Sequence, residues 1–135
     1  VESWHAIDMS AVIDVEFAKS FAAEWVAAWN AHDLDRVLSH YSDDFSMSSP
    51  VIVERGVDAS GTLHGKPAVR AYWAAALAAA QPPIRFELID VYTGVDSITI
   101  HYRSVARRLV CETVTFDADR HHVVRAFACY GPPAA

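Results

Sequence analysis

FAAEWVAAWNAHDLDRVLSHYSDDFSMSSP, residues 21–50, sets the order of elements on which the fold depends. Together with the residues just before it, this stretch spaces Phe17, Phe21, Trp25 and Trp29 four apart, with Ile13 and Ala28 beside them. Steps of four stay on one side of a 3.6-residue turn, so the spacing predicts a helix with an apolar stripe over about a third of its circumference. Lys19, Ala23, Ala27 and Asn30 fall on the other side. Asn30-Ala-His-Asp ends that helix, and Asp33 is placed to cap a second one that turns Leu34, Val37, Leu38 and Tyr41 inward. Asp43-Asp44 reads as a turn into a strand in which Phe45, Met47 and Ser49 alternate with Ser46 and Ser48. Pro50 closes that strand at a sheet edge.

Residues 51–65 have mixed charge, two glycines and no period, which predicts a loop with one short strand at 51–54 and the candidate lid residues Glu54, Arg55 and Asp58. Lys66-Pro67 opens a third helix carrying Val69, Tyr72, Trp73, Ala76, Leu77 and Ala80 on one face, and Gln81-Pro-Pro stops it. From there the texture turns to β: IRFELIDVYTG, DSITIHYRSV, LVCETVTFD and HVVRAFACY, joined by short turns that favour antiparallel pairing. Helices first and sheet last argue an α+β fold, three N-terminal helices on one face of a curved, mostly antiparallel sheet.

Composition narrows the function classes. A chain of 135 residues is one domain, and its 53% hydrophobic and 11% aromatic content is a surplus to be lodged in a cavity or a subunit interface. The net charge of -6, with no basic run, excludes a nucleic-acid surface. No apolar run nears the roughly 18 residues of a membrane span, and VESWHAID lacks the basic and apolar regions of a signal peptide. The expectation is a soluble, cytoplasmic protein with no membrane partner, in which residues 1–8, either an upstream extension or a segment not native to the protein, are given no role. Cys111 and Cys129 suit reduced thiols there. Seven histidines show no His-x-x-x-His or HExxH spacing, so neither metal nor cofactor is expected. His40 is kept as a pocket candidate; His101 belongs with the interface, and Asp90 either faces the pocket or marks a bulge.

Alternation along the last two strands puts Val110, Glu112, Val114 and Phe116 on one face with Val124, Ala126, Ala128 and Tyr130. The opposite face carries Cys111, Thr113, Thr115, Val123, Arg125, Phe127 and Cys129, joined by Thr99, His101 and Arg103. That mixed face predicts a homodimer through the sheet. Glu112 is the sharpest signal on the inner face, because burial without a cation raises a carboxyl pKa and makes it a hydrogen-bond donor or general acid. The alternatives are a carboxylate tied to an arginine or a tyrosine, or one that is simply wetted by solvent. Trp25, Trp29, Phe45, Met47, Trp73 and Tyr130 line a pocket for a small apolar molecule or, alternatively, form plain core.

EWVAAWNAHDLDRVLSHYSDDFSMSSP, then LHGKPAVRAYW, then four strands ending VVRAFACYG, resemble the nuclear-transport-factor-2-like superfamily and its SnoaL-like and ketosteroid-isomerase-like groups over nearly the whole chain. The resemblance implies a cone-shaped α+β barrel that hosts isomerases, hydrolases, dehydratases, cyclases and non-catalytic proteins. It places Ser49 where the isomerase-type aspartate base stands, Trp25 at the tyrosine donor, Glu112 at the protonated acid and Tyr41 at a supporting tyrosine. A serine hydroxyl is no base near neutral pH without an activator, so the steroid-isomerase route is not expected. Two functions remain. One is an isomerase, dehydratase or hydrolase acting on a small carbonyl or hydroxyl compound, with Glu112 and Tyr41 catalytic and Trp25, Trp29, Phe45, Met47, Ser49, Trp73, Ala128 and Tyr130 binding. The other is a non-catalytic binding or interaction module.

Overall fold

Asp14 caps the first helix, α1 (Val15–Asn30), by accepting from the Phe17 N–H at 3.1 Å. A computed structural model describes residues 12–133; the opening segment 1–8 lies outside them. Ala18, Ala22 and Ala28 let α1 lie close to the sheet while Phe21, Trp25 and Trp29 bury their rings. Phe17, 37% exposed, covers the edge of Phe116 instead of joining the core. Asn30 corrects the expected polar side of this helix. Its Nδ2 donates to the Phe86 carbonyl at 2.9 Å and its Oδ1 accepts from the Phe86 N–H at 2.7 Å, pinning the approach to the later strands onto the helix end.

Helix α2 (Leu34–Leu38) follows, and Tyr41 starts strand β1 (Tyr41–Ser48) instead of extending the helix. Asp43 and Asp44 are accordingly exposed strand residues, not a turn. Ser49 caps α3 (Pro50–Glu54), a short helix additional to the three expected, where a strand was expected. The strand of this region is β2 (Thr62–His64), and α4 (Lys66–Ala79) comes next. Then β3 (Glu87–Thr93), β4 (Ser97–Arg103), a 3-10 turn (Val105–Arg107), β5 (Leu109–Phe116) and β6 (Val123–Tyr130) complete the chain.

The curved sheet runs β2-β1-β6-β5-β4-β3, antiparallel throughout except where β1 pairs parallel with β6. Strand β1 is therefore interior, and Pro50 marks the entry to α3, not a sheet edge. A bulge between Thr115 and Phe116 pairs Thr115 with Arg125 and Phe116 with Val123. The extra residue reverses parity, so Val123 is buried and Val124 is exposed, opposite to simple alternation. A second bulge in β3 sets Asp90 on the solvent side, away from the pocket. Helix α1 crosses β3, while α4 lies on β1 and α2. Among the described residues no helix is long and apolar enough to cross a membrane.

Candidate functional site

Strand β5 delivers the central group. Glu112 pairs with Ile100 on one side and Ala128 on the other, so its carboxyl rises from an apolar row on the helix-covered face. It is 3% exposed and, with Ser49, one of two buried polar residues among those described. Burial alone pushes its pKa up to about 8, since no cation compensates the lost hydration. The Oε2 atom has no hydrogen-bond partner among the described residues.

Glu112 lines a cavity of about 220 Å³ between helices and sheet. Trp25 and Trp29 enter from α1, Tyr72 and Trp73 from α4, and Met47 and Tyr130 from the sheet. Edge contacts fix the walls: Trp29 meets Trp73 at 5.0 Å between ring centroids and Trp25 at 6.1 Å. The indole Nε1 of Trp29 is the other buried side-chain polar atom without a partner, so both such atoms among the described residues belong to cavity-lining side chains.

Phenols surround the acid. Burial raises the pKa of Tyr41 and Tyr102, and that of Tyr130 to about 12; the Glu112 charge adds to each rise. Tyr72 is raised by burial as well, and the nearby Ser49 hydroxyl offsets part of the rise of both Tyr72 and Tyr130. Ser49 Oγ accepts from the Val51 N–H at 3.2 Å as the cap of α3, which leaves its own proton free to donate.

The expected site residues thus divide. Trp25, Trp29, Met47, Ser49, Trp73, Glu112 and Tyr130 meet on the cavity. Tyr41 lies behind it, fully buried, its hydroxyl accepting from Trp25 Nε1 at 2.9 Å. Phe45 packs on Tyr41 and Trp73 as core. Ala128 lines a shallow hollow beside α3. His40 does not reach the cavity: its Nε2 lies 3.3 Å from Glu24, whose carboxylate is held down to about 2 chiefly by hydrogen bonds from Arg36. Lining residues that the pattern did not single out for the pocket include Phe86, Tyr102 and Arg108. Tyr102 was available from the parity of its strand, since Thr99, His101 and Arg103 point outward; Arg108 follows the 3-10 turn, where no period exists to place it.

Comparison with known proteins identifies the family. The SnoaL-like domain matches residues 22–130. The chain belongs to the SnoaL-like family. A SnoaL-like protein of unknown function from Burkholderia thailandensis is 50% identical, over 90% of this chain and 99% of that one, with a TM-score of 0.84. Two more distant structures share the fold of this SnoaL-like domain. Bal32a, from a soil-derived mobile gene cassette, is 16% identical over 85% of this chain and 89% of its own, with a TM-score of 0.70. The epoxide hydrolase/cyclase-like enzyme SalBIII, of pyran ring formation in the polyether salinomycin, is 18% identical over 87% and 93%, with a TM-score of 0.65. No curated protein matches the chain. These relations place the SnoaL-like domain in the nuclear-transport-factor-2-like superfamily that its helix and strand motifs resemble.

Proposed function

We propose that this SnoaL-like domain binds a small apolar carbonyl or hydroxyl compound and that Glu112 serves as the acid for its isomerisation, dehydration or hydrolysis. The observation that carries the reading is the unpartnered Glu112 carboxyl on an aromatic cavity. A carboxyl with a pKa near 8 is mostly protonated at neutral pH and donates to a substrate oxygen as negative charge builds there. Tyr130 and Tyr72, on the same cavity as Glu112, supply further donors, whereas Tyr41 supports the site only through Trp25. Enzymes such as SalBIII on the same fold are in keeping with chemistry on an apolar, oxygenated ligand.

One observation favours a binding module without catalysis. Ser49, at the position of the base, is occupied as a helix cap, and among the described residues the cavity lining holds no carboxylate besides Glu112. A thermal-shift screen of neutral aromatic and alicyclic ketones and alcohols tests both readings, since a ligand of the folded state raises the melting temperature. For a hit, the affinity is expected to fall as pH rises through about 8, where Glu112 loses its proton, and to become pH-independent in Glu112→Gln. Turnover lost in that variant while binding persists points to the enzyme; no turnover in either protein points to the module. An unchanged pH dependence in Glu112→Gln would remove the acid.

We also propose that the outer sheet face pairs two copies of the chain. Two rows cross it, Tyr92-Thr99-Thr113-Phe127 and Asp90-His101-Cys111-Cys129, each spanning four strands.

A further inference from the structure

Two arginines line this apolar cavity, Arg55 directly after α3 and Arg108 directly after the 3-10 turn. Arg108 Nε donates to the Gly131 carbonyl at 3.2 Å, and its guanidinium carbon stands 4.8 Å from the Tyr130 ring centroid. That single bond leaves the outer nitrogens of the guanidinium uncommitted, already oriented by the ring beneath. Arg55 is exposed at the rim and bonds to no side chain among the described residues. Among the described residues no carboxylate lies within ion-pair distance of either arginine, although Arg36, Arg70, Lys19 and Lys66 all have acidic partners.

The sign of the site is therefore opposite to that of the molecule. The chain carries -6, yet the cavity lining holds two guanidinium groups against one acid that burial keeps neutral. Field lines from charges on low-dielectric walls concentrate in a cleft, so this cavity attracts anions despite the acidic surface around it. Guanidinium groups also match the planar geometry of a carboxylate, which a neutral carbonyl uses only in part.

Resting on the pocket reading above, we infer that the cavity selects an apolar carboxylate, whose charged end Arg55 and Arg108 hold at the rim while its ring system lies among the tryptophans. Glu112, deeper on the sheet, is then left to act on a second oxygen or on an unsaturated centre of the same molecule. The volume of about 220 Å³ suits one or two rings and falls below the range of drug-sized pockets.

The test is a matched pair. Titration calorimetry at pH 6.5 compares 2-naphthoate with its neutral isostere 2-naphthamide, on the wild type and on Arg55→Gln and Arg108→Gln. The expected result is acid bound about ten-fold or more tightly than amide. That preference should shrink in each arginine variant and weaken with added salt. Arg55 makes no contact that folding depends on, so its variant keeps the test decisive if Arg108→Gln unfolds. Equal affinities for acid and amide, or tighter binding of the amide, would overturn the anion assignment and leave the pocket reading standing. Failure of both probes, with no hit in the neutral screen, would overturn the pocket reading and this inference with it.

Discussion

A carboxyl kept protonated inside a folded protein acts on stability in the opposite sense from a salt-bridged one. Glu112 titrates near its ordinary value, about 4.5, when unfolded and near 8 when folded, so between those values the folded state holds the extra proton. Its stabilising effect is full below about pH 4.5, declines as pH rises and is gone above about 8. Glu112→Gln should therefore nearly match the wild type in urea unfolding near pH 4.5 and exceed it at pH 8 by on the order of 4 kcal/mol. A constant difference across that range would mean that the carboxyl is not buried as a neutral acid. This residue was legible because a single acid interrupts an apolar alternation. Tyr41 was not, since Leu34, Val37, Leu38 and Tyr41 satisfy helical spacing even though the last of them opens a strand.

Elements are joined here by a few polar contacts whose role no periodicity reveals. The amide of Asn30 makes both bonds of a short ladder with the Phe86 backbone, joining the end of α1 to the segment that leads into β3. Asn30→Ala leaves a part-buried N–H and C=O unpaired and should cost about 2 kcal/mol in denaturant unfolding. Asn30→Asp keeps only the accepting half and should fall between the two. A shift under about 0.5 kcal/mol would show that water replaces the clamp. Helix α3 shows two local signals in competition. Val51, Ile52 and Val53 favour a strand, but the Ser49 cap and Pro50 at the first helical position start a helix, and local capping prevails in so short a piece.

At the scale of the whole molecule, the α+β order and the four late strands were legible from texture alone. The parallel pairing of β1 with β6 was not, because it depends on where the helices return the chain and not on any property of β1 itself. The proposed dimer belongs to this scale. A stable contact buries roughly 800 Å² on each partner, and the outer face offers Tyr92, Phe127 and the bonded pair Thr99–Thr113, whose hydroxyls lie 2.8 Å apart. Thr113→Arg in the middle of that face should convert a dimer into a monomer in sedimentation analysis, with the inner cavity untouched. A wild type that sediments as a monomer at micromolar concentration would dismiss the contact.

Trp25, Trp29 and Trp73 account for three of the four tryptophans in the chain and line a single cavity. The protein is accordingly its own optical probe. Their rings are close enough for excited states to couple, so the far-ultraviolet circular dichroism should carry an exciton couplet that Trp29→Phe diminishes. Any occupant that displaces water from among them should shift the emission to the blue or quench it. Each ligand proposed above can thus be followed by fluorescence, without a label and before any reaction has been identified.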